Sequence, residues 1–323
     1  MNSMFSHLIP PSPDVFFSRN DPDDPRLGDV VRREPDEFPG TAKVVLVGVP
    51  QDIGVGRNHG RRGAAEAPDR VRAMLYRLAA FCTELRCAIP DGFVFDAGDV
   101  DCSGELEDIH AQLEAVVRQI CSAGLIPVVI GGGHDITYAA ASGAYGVYGT
   151  LGMFNFDAHL DVRPPIPQRN SGTSFRMLIE EERLDPQRFV EFGIQPFANA
   201  RKHIEWLEEC GGTIRTLDAV REAGVKNALT EALRIATGTE DRPVYGTLDI
   251  DGVRSADAPG VSAPSPDGLS AADLLAAARM LGAQPDCVAL DVVEVNPVFD
   301  TDNRTAKLAA HAIARFLAGV LAR

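Results

Sequence analysis

From Lys43 onward, short runs of apolar and largely β-branched residues recur, each followed by a stretch in which apolar positions return at helical spacing. The runs are Val44–Val49, Phe93–Phe95, Ile126–Ile130, Leu151–Phe156, Phe189–Ile194, Val244–Ile250 and Cys287–Val295. The amphipathic stretches are Ala67–Leu85, Glu105–Ala123, Ile136–Gly143, Asn199–Cys210, Asn227–Ala236, Leu269–Leu281 and Asn303–Leu321. A near-continuous apolar run reads as a strand buried on both faces, and its alternation with helices predicts a parallel sheet covered on both sides. About seven or eight strands fit the spacing, joined by right-handed crossovers. No repeat, low-complexity block or Gly/Ser linker interrupts the pattern, so residues 41–323 are expected to form a single α/β domain. Residues 1–40 differ, being rich in Pro and Asp around Asp21-Pro22-Asp23-Asp24-Pro25. They read as an extended acidic arm with little regular structure, suited to packing on a neighbouring subunit or wrapping the sheet edge.

Composition narrows the classes of function. The chain has 323 residues, 45% apolar and 24% charged, which excludes a disordered or fibrous protein. Its net charge of −15 opposes binding to phosphate backbones, so nucleic acid is not an expected partner. No apolar stretch is long enough to span a bilayer, and the first residues lack the basic and apolar regions of a secretory signal. The six cysteines are scattered with no CxxC, which predicts reduced thiols and a cytoplasmic protein. A bridge between Cys82 and Cys87 is the less favoured alternative.

In parallel sheets ligands gather at the carboxyl ends of the strands. Here those positions are acidic or imidazole-bearing: Gln51-Asp52, His134-Asp135, Asp157-Ala158-His159-Leu160-Asp161, Asp249-Ile250-Asp251 and Glu294. Asp157, His159 and Asp161 alternate at spacing two, which in an extended segment points all three to one face. Asp249 and Asp251 repeat the spacing, and His134 follows a triple glycine that permits close backbone approach. Such groups would repel strongly unless a cation lay among them. Mixed oxygen and nitrogen donors suit Mn2+, with Zn2+, Fe2+, Co2+ or Ni2+ as rivals, and six ligands exceed what one ion in an open site needs. Taken singly, each motif has a bland reading as a turn, a cap or a solvated strand end. Their joint occurrence at three strand ends is what carries the metal reading.

Gly131-Gly132-Gly133-His134-Asp135, Asn155-Phe156-Asp157-Ala158-His159-Leu160-Asp161 and Thr247-Leu248-Asp249-Ile250-Asp251 resemble, in order, the metal signatures of the ureohydrolase superfamily of arginase, agmatinase and formimidoylglutamase. The resemblance extends from about Val44 to the C-terminus. It implies an α/β/α three-layer sandwich with an eight-stranded parallel sheet, a pair of Mn2+ ions, and trimers or hexamers. By motif match, His134, Asp157, Asp161 and Asp249 would hold one ion, and Asp157, His159, Asp249 and Asp251 the other, with Asp157 and Asp249 bridging. The implied nucleophile is a hydroxide between the two ions. Asp161 would orient it, and Glu294 would pair with the substrate's amidinium or guanidinium nitrogens, a fit for a carboxylate.

Arginine is concentrated near two loops of the implied site: Arg57, Arg61 and Arg62, then Arg163, Arg169 and Arg176, with no lysine among them. Arg62 and Arg169 read as ordinary surface residues, but the set favours an anionic small-molecule amidine. Arg57-Asn58-His59-Gly60-Arg61-Arg62-Gly63-Ala64, Ser171-Gly172-Thr173-Ser174-Phe175-Arg176 and Ala258–Pro266 look most like formimidoylglutamase, as does Ser18–Asp24. By that similarity Asn58, Arg61, Arg163, Ser171, Thr173 and Arg176 are expected at the substrate. The implied reaction cleaves N-formimidoyl-L-glutamate to L-glutamate and formamide. Alternatives are an agmatinase, a guanidinobutyrase or another guanidino-acid amidinohydrolase releasing urea. A catalytically silent member of the fold that binds a ligand or serves assembly is a further alternative. The segment 163–178 has no histidine, unlike the proton-shuttling loop of arginase. His59 could donate that proton, although a loop histidine with a structural partner is the simpler reading.

Overall fold

A computed structural model of the chain describes residues 5, 7–34, 38–239 and 242–323. Eight strands form one parallel sheet: β1 Val44–Gly48, β2 Val94–Asp99, β3 Ile126–Ile130, β4 Leu151–Phe156, β5 Leu184–Ile194, β6 Thr213–Thr216, β7 Val244–Asp249 and β8 Cys287–Val293. They lie in the order β2-β1-β3-β8-β7-β4-β5-β6. β1, β4 and β7 are buried at every residue, as their unbroken apolar runs require. Alternate side chains feed two cores: Val44 and Leu46 point into one, Val45 and Val47 into the other. The first core is covered by helices Ala67–Leu75, Val225–Thr237, Ala271–Ala283 and Arg304–Leu321. The second is covered by Leu106–Ser122, Ile136–Tyr148, Ser174–Glu180 and Arg201–Cys210. The result is the expected α/β/α sandwich.

Departures from the sequence reading have local causes. β6 was not predicted because Thr213-Ile214-Arg215-Thr216 is a half-buried edge segment without an apolar run. The helix expected over Ala67–Leu85 stops at Leu75, and the chain turns into a hairpin pairing Phe81–Cys82 with Cys87–Ala88. Cys82 and Cys87 face each other across it as free thiols. Helices Ser174–Glu180 and Leu217–Ala223 have only seven residues each, too few to show a period.

The arm has more structure than its composition suggests. Among its described residues, Pro13–Val15 and Leu27–Val30 form short helical turns. Ile9 bridges Asp99 and Arg32 bridges Phe95, so the segment runs along the free edge of β2. Val15, Leu27 and Val31 are buried in the first core, Phe5 and Leu8 in the second.

The consequence for function lies at the sheet centre. β3, β8, β7 and β4 are contiguous, with Val292 opposite Ile130, Val293 opposite Asp249 and Phe156 opposite Leu248. Their carboxyl ends therefore deliver the four motif segments to one place.

Candidate active site

The glycine run after β3 is dictated by contact. A Cβ on Gly132 would lie 1.6 Å from the Gln51 carbonyl oxygen, so only glycine lets the two backbones pass. The Glu294 N–H donates to the Gly132 carbonyl at 2.9 Å, which ties the end of β8 to the run. His134 emerges from this junction fully buried, its Nε2 3.0 Å from Thr247 Oγ1 on β7. Nδ1 thereby faces the carboxylates.

Asp157, His159 and Asp161 do converge, but not as an extended strand. β4 ends at Phe156, and Asp157 Oδ1 accepts the His159 N–H at 2.6 Å, curling the chain. Asp161 has a left-handed φ of 46° that turns its side chain back toward the others. Asp251 likewise sits in a single 3-10 turn, its N–H donating to Asp249 Oδ1 at 2.8 Å. Spacing two thus brings the ligands together through carboxylate-closed turns rather than through strand alternation.

Two groups of side chains result. His134 Nδ1 lies 3.1 Å from Asp157, 3.0 Å from Asp161 and 3.0 Å from Asp249. His159 Nδ1 lies 3.5 Å from Asp157 and 3.2 Å from Asp251. Asp157 belongs to both groups; Asp249, expected to bridge, stands in the first only. His134 Nδ1 has no properly directed hydrogen-bond partner although three carboxylate oxygens surround it. A nitrogen so placed, with buried carboxylates around it, is the donor set of a divalent-cation site. The fit to metal is therefore good at all six positions.

Burial pushes the carboxyls of Asp161, Asp249 and Asp251 up, aided for Asp249 by its neighbours Asp251 and Asp157. Asp157 is held low because hydrogen bonds to His134 and His159 outweigh its burial. The imidazole of His134 is raised despite burial by its three aspartates, and that of His159 by Asp251 first. Glu294 ends β8 with a φ of 64° and is pushed up by burial to about 8. One of its oxygens accepts the His134 N–H at 2.8 Å and the other the Ser262 hydroxyl.

Above these groups opens a cavity of about 260 Å3. His159, Asp161, Asp249, Asp251 and Glu294 line it, with Val55, Asn58, His59, Gly60 and Arg61 along one wall, Arg163 and Ser171 along another, and Ser262 and Ala263 beside Glu294. Asn58 Nδ2 donates to Ser171 Oγ at 3.0 Å, joining the two loops. Arg61 donates to the Val261 carbonyl at 2.5 Å and lies over the Phe299 ring. Thr173 and Arg176, expected at the substrate, are not among the lining residues. The Thr173 hydroxyl closes the turn at Asn170, and Arg176 pairs with Glu180 at 2.8 Å over the Trp206 ring. Arg57 and Arg169 turn toward Glu107, and Arg62 toward Asp52. A larger hollow beside the hairpin, lined by Phe81, Cys82 and His311, holds no ligand cluster.

Sequence reasoning missed three supporting groups. Thr247 orients His134, and Ser262 holds Glu294. Asn155 donates to both Asp157, at 3.1 Å, and the buried Glu191, at 2.7 Å. Thr247 and Asn155 each precede a ligand by two positions on the same strand, a usable signal; Ser262 lies in the Ala258–Pro266 motif, whose resemblance did not reveal its contact with Glu294.

Residues 42–319 match the arginase family. Formimidoylglutamase of Geobacillus thermodenitrificans is 36% identical over 270 residues, covering 82% of this chain and 80% of the relative. The structure of Trypanosoma cruzi formiminoglutamase with two Mn2+ ions superposes with a TM-score of 0.86 at 34% identity, over 93% of this chain and 100% of that one. Proclavaminate amidino hydrolase from Streptomyces clavuligerus gives a TM-score of 0.80 at 29% identity, over 90% of this chain and 96% of that one.

Proposed function

We infer that this chain, which belongs to the arginase family, hydrolyses N-formimidoyl-L-glutamate to L-glutamate and formamide, with two Mn2+ ions as its cofactors. The observation that carries the reading is the buried convergence of His134, Asp157, His159, Asp161, Asp249 and Asp251 beneath a cavity walled by arginines. His134, Asp157, Asp161 and Asp249 would hold one ion and Asp157, His159, Asp249 and Asp251 the other. Such a pair would lower the pKa of bound water, so that hydroxide would be available near neutral pH.

The chain's own residues do the rest. Asp161, which lines the cavity, accepts a hydrogen bond from the attacking oxygen and so fixes its orientation. Glu294, held by Ser262 and the His134 N–H, presents a carboxylate to the amidinium nitrogens. Arg61 and Arg163 form no ion pair with a side chain among the described residues, although the protein carries a net charge of −15. Two unmatched guanidinium groups in one cavity suit the two carboxylates of a glutamyl substrate, with Asn58 and Ser171 adding neutral donors. Thr173 shapes the turn at Asn170 that carries Ser171. Of the two imidazoles lining the cavity, His159 belongs to the metal cluster, which leaves His59 to protonate the departing amine. We place the protein in the cytoplasm, as a trimer or hexamer.

Mn2+-loaded protein incubated with N-formimidoyl-L-glutamate is expected to release formamide and glutamate in equal amounts, followed by chromatography. Turnover of agmatine or guanidinobutyrate to urea, with formimidoylglutamate left intact, would overturn the assignment.

A further inference from the structure

One buried carboxylate beside the metal cluster has no part in the chemistry above. Asp135 follows His134, is 1% exposed, and belongs to neither ligand group. Its Oδ2 accepts the Gln51 side-chain amide at 2.9 Å and meets His110 Nε2 at 2.9 Å. Its Oδ1 presses against Gly54, where a Cβ would stand only 1.9 Å away. Gln51 also accepts the Ile53 N–H at 2.8 Å, setting the start of the short helix Ile53–Arg57.

Both substrate loops converge on this carboxylate. The Gly54 carbonyl accepts the Ser171 N–H at 3.2 Å, and the Ser171 hydroxyl accepts Asn58 Nδ2 at 3.0 Å. From the other side, Arg169 Nη1 lies 3.4 Å from His110 Nδ1, two residues before Ser171. The protons fall into order along this chain. A guanidinium only donates, so His110 accepts from Arg169 through Nδ1 and donates to Asp135 through Nε2. The helix Leu106–Ser122, the end of β1 and both loops thus meet at one carboxylate.

We propose that Asp135, clasped by His110 and Gln51, is a positioning residue that sets the spacing of the loops gripping the carboxylate end of the substrate. The proposal rests on the formimidoylglutamase reading for what those loops grip. Glu294 and the ligand clusters lie at the ends of β3, β4, β7 and β8, and none of their side chains bonds to Asp135, His110 or Gln51 among the described residues. Loosening the clasp therefore misplaces Asn58, Arg61, Arg163 and Ser171 relative to the substrate carboxylates while leaving the amidine end in register. Displacements near an ångström suffice to weaken such recognition strongly.

The test compares Mn2+-loaded wild type with Asp135→Ala, His110→Ala and His110→Gln on N-formimidoyl-L-glutamate and on N-formimidoyl-propylamine, an amidine without carboxylates. In Asp135→Ala and His110→Ala, KM for formimidoylglutamate is expected to rise about tenfold, with kcat within about threefold. The kcat/KM for the propylamine and the manganese content stay as in wild type. L-Glutamate binding measured by calorimetry weakens by the same factor as KM, and His110→Gln, which keeps a donor toward Asp135, recovers most of the loss. His110→Ala lies on a helix away from the ligands and decides the matter should Asp135→Ala fail to fold. Equal losses on both substrates, lost manganese or unchanged glutamate binding would overturn the clasp. Wild type releasing no formamide would instead refute the activity reading, and the glutamate titration would still judge the clasp.

Discussion

Without a cation, the cluster at the sheet centre has its protons distributed by burial and by its two imidazoles. Asp161, Asp249, Asp251 and Glu294 are all raised, foremost by burial. His134 and His159 are raised by the aspartates they touch. Each of these six groups binds its proton more tightly folded than unfolded, so its contribution to stability is present at low pH and lost as pH rises through the folded value, about 8 for Glu294. Asp157 alone is lowered and works in the opposite direction. The melting temperature of the metal-free protein is therefore expected to fall as pH is raised from about 5 to about 8, and Mn2+ should remove most of that decline. Calorimetric scans of metal-free and Mn2+-loaded samples across this range check it; a metal-free melting temperature that climbs with pH would contradict the charge arrangement. At this scale the sequence was most informative. The six clustered side chains could be named from residue type and strand-end position, a rule that also marks Asp52 and Asp135. Their geometry could not, because Asp161 and Asp251 reach the site through turns whose backbone angles no spacing rule encodes.

Elements are placed by what they bury, and one helix does so with charge. Arg72, fully buried on helix Ala67–Leu75, spans to β2 with Nε and Nη2 on Asp96 at 2.9 and 3.0 Å and Nη1 on Asp99 at 2.5 Å, while the Tyr76 hydroxyl also donates to Asp96. Two buried carboxylates share one guanidinium, and removing the cation leaves both acids without a counter-charge. Arg72→Ala is expected to destabilise the fold by about 3–5 kcal/mol, read as a lower midpoint in urea unfolding. A loss below about 1 kcal/mol would mean that the acids find other partners or take up protons at little cost. This network also shows why elements were only partly legible. Buried strands announce themselves because hydrophobic sheet centres admit little else, as β1, β4 and β7 show. β6 and the seven-residue helices are held by neighbours rather than by their own patterns, and the hairpin after Leu75 interrupts a stretch that still reads as amphipathic. Nothing in the sequence distinguishes Arg72 from any other polar residue on a helix.

For the molecule as a whole, the decisive feature is a segment whose composition argues against a fold of its own. The described arm closes the β2 edge through its bridges from Ile9 and Arg32, and Phe16 stacks on Tyr76 with ring centroids 4.6 Å apart. A parallel sheet has unsatisfied backbone groups along its outer strand, and an arm pairing with them removes an aggregation-prone edge. Phe5, Leu8, Val15, Leu27 and Val31 each bury a large apolar side chain, worth about 1.5–3 kcal/mol apiece as an upper estimate. Their sum is comparable to the whole stability of an ordinary domain, about 5–15 kcal/mol. The arm is thus part of the fold's energetics even though Asp21, Pro22 and Asp23 at its centre face solvent. Deleting residues 1–34 is expected to lower the melting temperature by more than about 10 °C or to leave the chain aggregated. The metal cluster, built on β3, β4, β7 and β8, should still take up Mn2+ in whatever fraction folds at low temperature. Melting within a few degrees of the intact chain would show that the edge and both cores are self-sufficient, and that the arm's buried side chains serve assembly rather than the stability of one subunit.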